Sequence, residues 1–466
     1  MGRVYHYSSL PSAIVQFLCL SRIIISSDAS NSGLNQANIF AMLLLISTLA
    51  LTRYVGGWSV VTLPHIICTF FLIMLMVTNS QSVLLYGVAA LFWIIHLAMI
   101  CFYYHYELPK PTGRFKAGFM NITYNNVSIS VFYPTEDINK PLAKLFHANH
   151  YLENVYTIAT CLLGRVPRFL LAIANHYSTN LPIHAYEGAR LTSLDDPSFE
   201  NTDKKLIPII FSHGLGAHCN AYSTICNTLA SHGYIVFSVD HSDDIVGVVT
   251  DRTLQVAKKY LVKRVSQCRT IIDGLEKGNL LSEQFNEPVP LALDKLTIMG
   301  HSYGGATSAA TAIQDSRIKN CVLLDPYLEP LDKKEELEKK LSSNLLILES
   351  DTWDAKRPHL EIRLRNKLLA KSQAQNGKVT LYSVVGRSDH TSFADNALFT
   401  GQLLKASKLI KYYGEIEEMM SLITSSIQKY MKIIVEGQRE NNDVNLRMER
   451  YLEAVKGIPN LSFETI

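Results

Sequence analysis

Gly300, Ser302 and Gly304 make a Gly-x-Ser-x-Gly pattern inside the stretch Thr297–Thr307. The spacing suits a serine nucleophile. Such a serine has to stand clear of a sheet edge, on a sharp strand-to-helix turn whose backbone is strained at the serine itself. Strand and helix approach closely enough only when the residues two before and two after are small. The flanks agree. Lys295–Met299 alternates and is apolar enough for a buried strand, and Gly305–Ile313 is rich in small residues, as a helix pressed on a sheet is. A chance match in a Gly-rich turn has no reason to carry both.

Attack by a serine alkoxide needs two donors for the developing oxyanion. In this class of turn one is the backbone N–H after the nucleophile, here that of Tyr303. The other comes from a Gly-rich loop after an earlier strand. Phe211–Ala217 supplies His-Gly-Leu-Gly directly after a strand expected at Leu206–Phe211. That assigns the second donor to the N–H of Leu215, with Gly214 and Gly216 letting the backbone come close to a substrate.

The base must be a histidine oriented by a carboxylate, and the chain order in this architecture is serine, acid, histidine. Two histidines lie beyond Ser302. His359 sits in the charged, helix-like Ala355–Lys367, as a surface histidine does. His390 follows a strand expected at Lys378–Val384, at the end where open α/β sheets collect catalytic groups, and is the expected base. His213 and His301 flank the two motifs, and local hydrogen bonding is their expected role. Two positions stand open for the acid. Asp325 ends the strand after the elbow helix, and Asp351, with Glu349 beside it, ends the next.

These groups need a sheet whose strands end along one edge. Strands are expected at Val127–Tyr133, Leu206–Phe211, Tyr234–Val239, Lys295–Met299, Asn320–Asp325, Asn344–Glu349 and Lys378–Val384, and helices at Asn220–His232 and Val256–Leu275. Short apolar runs separated by helical patterns predict a mostly parallel sheet covered on both faces. Leu181–Asp203 reads as a polar, proline-containing loop. Tyr151–Asn175 reads as a strongly apolar helix, either a lid or acyl-chain wall or an ordinary packing helix. The charge run Lys333–Lys340 reads as a solvated helix face. From Gly401 onward the pattern is helical and amphipathic.

The chain has 466 residues, 48% hydrophobic, and a net charge of +3 with both signs interspersed, which gives no case for nucleic acid. None of its eight cysteines forms a C-x-x-C pair, so neither a metal pattern nor a disulfide framework emerges. Buried thiols in a reducing compartment are the expectation. Residues 1–106 are almost free of charge. Ile39–Val55, Ser59–Val77 and Val83–Phe102 are apolar runs near the ~20 residues that span a bilayer. Phe102, Tyr103, Tyr104 and Tyr106 make an aromatic belt, after which Pro109 and Pro111 stop any helix. Pro11–Ser27, interrupted by Arg22, is a fourth span, an interfacial helix or a signal-like segment.

The expectation is therefore a region of about three transmembrane helices at 1–106, then an α/β domain at 107–466 that ends in helices. Arg53, Lys110, Arg114 and Lys116 against Arg3 and Arg22 place that domain in the cytosol by a small margin. Sequons at Asn121, Asn126 and Asn460 pull toward the lumen.

Several segments resemble the platelet-activating factor acetylhydrolase family of α/β-hydrolases, the plasma and intracellular lipase-like type. They are Asn175–Pro182, Phe211–His218, Leu229–Asp243, Gly300–Thr307, Leu323–Pro330 and His390–Asp395. The resemblance runs over roughly residues 107–420. It implies an α/β-hydrolase fold, a triad of Ser302, Asp325 and His390, oxyanion donors at Leu215 and Tyr303, and no metal or cofactor. It also implies hydrolysis of the sn-2 ester of phospholipids with acetyl, short or oxidised acyl chains. Pro326 stands where a small residue is expected after the acid. The apolar N-terminal region is no part of the secreted pattern and would tether this chain to a membrane. Broader readings on the same fold are a carboxylesterase, thioesterase or serine peptidase. A reading of another class is a non-catalytic membrane protein with a hydrolase-like binding domain.

Overall fold

In the computed structural model the apolar runs between residues 116 and 463 pair into one mixed sheet. The structure describes residues 62–78, 87–95, 108–145, 182–196, 204–241, 254–285, 288–331, 343–352, 359–374, 378–395, 416–438 and 443–463, with a few isolated positions besides. The chain divides into two compact units. One is Met1–Glu107 with Ala172–Ser178, and the other is Leu108–Leu171 with Thr179–Ile466.

In the first unit, helix α1 runs from Thr62 to Thr78, and residues 87–95 are helical. The 17 residues of α1 carry no charged side chain. At 1.5 Å per residue they reach about 25 Å, against a hydrocarbon core of about 30 Å. Among the described residues no helix is long and apolar enough to cross a membrane. Of the expected spans, Ser59–Val77 falls largely on α1 and Val83–Phe102 partly on residues 87–95. Ile39–Val55 lies outside the described residues, as does all of Pro11–Ser27 but Gln16. Phe70, Leu91 and Ile94 are each more than half exposed, so this unit presents apolar surface.

The second unit holds eleven strands among its described residues. They are β1 (Lys116–Tyr124), β2 (Val127–Thr135), β3 (Leu142–Lys144), β4 (Pro182–Glu187), β5 (Ile207–Ser212), β6 (Tyr234–Val239), β7 (Thr297–His301), β8 (Asn320–Leu324), β9 (Asn344–Thr352), β10 (Thr380–Asp389) and β11 (Leu461–Phe463). Their spatial order is β11-β10-β9-β8-β7-β5-β6-β2-β1-β4-β3. From β6 through β10 every neighbouring pair is parallel. Antiparallel β11 closes one side of that run and antiparallel β2 the other.

The parallel strands are covered on both faces, which is why they read as continuous apolar runs. Alternate residues Ile210, Ile298, Cys321, Leu323, Leu345 and Ile347 enter one buried cluster. Into it helix α3 (Leu254–Glu276) sends Leu261 and Val265, helix α4 (Tyr303–Gln314) sends Ala306 and Ala309, and helix α5 (His359–Ala374) sends Leu369. Helices α2 (Ser223–Ser231) and α6 (Ile416–Tyr430) stay outside that cluster. They pack on β6 and β10 respectively and on each other, which places them on the opposite face. Helix α7 (Val444–Val455) follows α6.

The strands and helices expected around the motifs are present, with ends shifted by a few residues. The loop expected at Leu181–Asp203 instead contains β4, which pairs in parallel with β1. The sequence pattern predicts no strand at β1 or β3, and β11 departs from the helical pattern expected from Gly401 onward. β1 reads poorly because it contains Gly118, where a Cβ would stand 2.3 Å from the Tyr133 ring on β2. The segments Tyr151–Asn175 and Lys333–Lys340 lie outside the described residues.

Candidate active site

Parallel strands bring their C-terminal ends to one edge of the sheet, and each candidate group follows such an end. Ser302 comes after β7 and before α4, with φ +57° and ψ −121°. A non-glycine residue pays for such a backbone, and the surroundings hold it there. Ser302 N–H donates to Leu324 O at 3.0 Å, and Ser302 O accepts from Gly305 and Tyr327 N–H, both at 2.9 Å. The flanking glycines are sterically required. A Cβ on Gly300 would lie 2.2 Å from Gly304 O, and one on Gly304 would lie 2.0 Å from Ser212 O. Pro326 is accommodated in the same way, since a Cβ on Gly305 would meet its ring at 2.7 Å.

His390 opens a short 3₁₀ turn, His390–Phe393, immediately after β10. Asp389 caps that turn by accepting from Thr391 N–H at 2.9 Å, and Ser392 Oγ accepts from Asp389 N–H at 3.0 Å. This reciprocal cap fixes the turn on which the imidazole is mounted. His390 Nε2 lies 2.9 Å from Ser302 Oγ, and Nδ1 lies 2.7 Å from Asp325 Oδ2.

Asp325 follows β8 with φ +41° and is 1% exposed. Ser350, near the end of β9, donates to it from its N–H at 3.0 Å and its hydroxyl at 2.7 Å. Burial raises the cost of its charge. The bonds from His390 and Ser350 outweigh that and hold the carboxyl below the usual range. The other two candidate acids are engaged elsewhere. Glu349 accepts from Arg363, Asn366 and Tyr382, and burial followed by the Asp325 charge pushes its carboxyl up. Asp351 is exposed and accepts from Arg387 N–H at 3.4 Å. His359 opens α5.

The loop after β5 stands beside Ser302: a Cβ on Gly214 would lie 3.3 Å from the Ser302 Cβ. Its backbone is held by a buried polar network. His241 Nδ1 donates to Gln267 Oε1 at 2.6 Å, so its Nε2 accepts from Ser212 Oγ at 3.0 Å. His241 N–H donates to His213 Nε2 at 2.9 Å, so His213 Nδ1 donates to Gly214 O at 2.8 Å. Arg264, on α3 and fully buried, donates to His213 O at 2.8 Å. Burial, and after it the Arg264 charge, holds both histidines well below the usual range, in the neutral form that these bonds need. Gly214 N–H donates to Tyr222 Oη at 3.1 Å. Leu215 heads this loop between Gly214 and Gly216, the latter at φ +73°. Tyr303 N–H opens α4, at the positive end of its dipole.

Ser302, Asp325 and His390 are thus brought together, with the Leu215 loop and the start of α4 alongside. Outside that group, His218, Cys219 and Asp240 bring nitrogen, sulfur and oxygen atoms close to one another. His218 Nδ1 accepts from Asn220 N–H at 3.2 Å, and burial pushes the Cys219 thiol well up. Reading the sequence passes over Ser350, Tyr222 and Asp395. Ser350 lies between two carboxylates that attract attention first, and only the register of β9 on β8 aims it at Asp325.

A family model described as platelet-activating factor acetylhydrolase, isoform II, matches residues 100–259 and 246–454. The platelet-activating factor acetylhydrolase of Cavia porcellus is 26% identical over 392 residues, covering 72% of this chain and 83% of that protein. That of Bos taurus is 25% identical over 393 residues, covering 72% and 82%. A putative phospholipase A2 of Schizosaccharomyces pombe is 32% identical over 164 residues, 34% of each chain. Among solved structures, a ferulic acid esterase from Streptomyces cinnamoneus superposes with a TM-score of 0.50 at 14% identity, over 77% of this chain and 99% of that one. That likeness is one of fold.

Proposed function

This chain belongs to the platelet-activating factor acetylhydrolase family, isoform II, and from that membership and its site we propose a serine esterase that hydrolyses the sn-2 acetyl, short or oxidised acyl ester of phospholipids. The observation that carries the reading is the unbroken line from Ser302 Oγ through the His390 ring to the Asp325 carboxylate, at 2.9 and 2.7 Å.

Ser302 Oγ attacks the ester carbonyl while His390 Nε2 takes its proton. The N–H groups of Leu215 and Tyr303 receive the oxyanion, and the N-terminus of α4 adds its partial positive charge. His390 then gives the proton to the leaving glyceryl oxygen, and the lysophospholipid departs. A water activated by the same imidazole hydrolyses the acyl-enzyme. Asp325 holds the Nδ1–H tautomer and balances the imidazolium in each half of the cycle.

Attachment of the chain to a membrane through its apolar N-terminal region belongs to the same proposal. It is supported by the charge-poor run of residues 39–102 and by the exposed Phe70, Leu91 and Ile94. The balance of Arg53, Lys110, Arg114 and Lys116 against Arg3 and Arg22 supports a catalytic unit that faces the cytosol and takes its substrate from the bilayer to which it is tethered.

The test is hydrolysis of phosphatidylcholines with sn-2 chains from acetyl upward, together with fluorophosphonate labelling. The intact chain is expected to cleave the short-chain members and to be labelled. Ser302→Ala is expected to lose on the order of 10³-fold or more in rate, and its label, while remaining folded. Full labelling of that variant would overturn the assignment of the nucleophile.

A further inference from the structure

We infer that Tyr222 and His301 are positioning residues that set the distance between the oxyanion loop and the catalytic histidine, an inference that rests on the esterase reading. The sheet alone cannot set that distance. β5, which leads into the oxyanion loop, and β10, which leads into His390, are separated by β7, β8 and β9. Four intervals of about 4.8 Å put those strands roughly 19 Å apart. The loops beyond their ends must converge over the edge of the sheet and then be fastened together.

Tyr222 and His301 make the fastening. Tyr222 is 1% exposed and stands one residue before α2, and His301 is the last residue of β7. His301 Nε2 lies 3.0 Å from His390 O, and Nδ1 lies 2.7 Å from Tyr222 Oη. A carbonyl can only accept, so Nε2 carries the hydrogen and Nδ1 offers its lone pair. Tyr222 must then donate to Nδ1, and its oxygen is left to accept from Gly214 N–H at 3.1 Å. The chain of bonds therefore has one direction: Gly214 N–H to Tyr222, Tyr222 O–H to His301, His301 N–H to the main chain of His390. Burial, and after it the neighbouring His390, holds the His301 imidazole well below its usual range, so the neutral ring keeps that direction. The ring is also wedged 4.6 Å from that of His390 and 5.5 Å from that of Phe393.

The same corner grips the His390 loop a second time. The Asp395 carboxylate accepts from Ser223 Oγ at 2.7 Å and from Thr224 N–H at 3.2 Å, and Asp395 N–H donates to Ala221 O at 2.8 Å. Residues 221–224 thus hold Asp395 directly, His390 through Tyr222 and His301, and the oxyanion loop through Tyr222. An oxyanion donor or a base displaced by about 1 Å costs on the order of 10²-fold in rate.

The experiment uses the full chain and measures the saturable rate of fluorophosphonate labelling, and kcat and KM per labelled site for a phosphatidylcholine with an sn-2 acetyl chain. Tyr222→Phe is expected to slow labelling and kcat about 10- to 100-fold, with KM within about twofold of the parent. His301→Gln, which keeps an N–H for the His390 carbonyl, is expected to retain several-fold more activity than His301→Leu. The double variant Tyr222→Phe with His301→Leu is expected to fall within about threefold of His301→Leu alone, because both changes break one chain of bonds. A Tyr222→Phe variant within twofold of the parent per site, or losses that multiply in the double variant, would overturn the inference. Should Tyr222→Phe not fold, the two His301 variants decide, and equal losses in them count against it. Labelling rates report on this inference whatever the natural ester, whereas hydrolysis of the phosphatidylcholine by the parent chain reports on the esterase reading.

Discussion

Asp325 carries the sharpest consequences of a single side chain. An orienting carboxylate that loses its charge costs around 10⁴ in kcat in the serine-protease example. Asp325→Asn is therefore expected to lower kcat by orders of magnitude. Asp351→Asn, at a carboxylate that accepts from Arg387 N–H at 3.4 Å, is expected to cost about tenfold at most. Steady-state kinetics on the two variants checks this, and the reverse ranking would move the acid to β9. The acids of this region also oppose one another in pH dependence. Asp325 has a lowered pKa in the folded state, so its contribution to stability is present above the unfolded value of about 3.9 and is lost as pH falls through the folded one. Asp395 has the opposite sign, because burial pushes it up to about 6. Its native form holds a proton that the unfolded chain has already released, so it weakens the fold as pH rises from about 4 to 6. Asp395→Asn is expected to flatten the slope of unfolding free energy over that window, measured by denaturant titration. An unchanged slope would mean that Asp395 ionises normally.

At the scale of elements, the elbow makes the tightest demand. Gly304→Ala puts a methyl 2.0 Å from Ser212 O, a backbone atom of the neighbouring strand. Overpacking of that kind costs about 1–3 kcal/mol or more and drives strand and helix apart, so labelling at Ser302 is expected to vanish. Gly386→Ala, whose methyl would meet Asn460 O at 3.4 Å, is expected to leave labelling nearly intact. The elbow, the His-Gly-Leu-Gly loop, His390 and the parallel strands could be read from the sequence because each demands particular residue types at a particular spacing. The acid could not be read from residues alone. Two strand ends offered carboxylates, and the pair of bonds from Ser350 that distinguishes them depends on the register of β9. β4 is hard to read because Pro182–Glu187 is six residues long, opens on a proline and lies near the margin of the sheet. β1 hides its strand character behind Gly118 and behind Asn121, whose side chain accepts from Ser130 Oγ at 2.8 Å on β2. The Tyr222–His301 contact joins residues 79 positions apart, and no local pattern announces it.

For the whole molecule, the proposal of membrane attachment predicts that the full chain sediments with membranes and resists carbonate extraction. Extraction by carbonate would remove the tether from the proposal. A cytosolic catalytic unit predicts no endoglycosidase mobility shift in protein from eukaryotic cells, and a shift that disappears on removing Asn121 and Asn126 would reverse its side. The sheet has a further consequence, for solubility. Its outermost described strands, β3 and β11, have three residues each, and short outer strands deny a second molecule a template for pairing. β11 covers Ser383–Val385 of the ten-residue β10, and Asn460 O takes the Gly386 N–H at 2.7 Å. Deleting residues 457–466 would strip that cover from the strand leading into His390. Such a chain is expected to scatter light increasingly with concentration, as exposed β10 edges find one another, and to lose active molecules to that self-association before the remaining ones lose their chemistry.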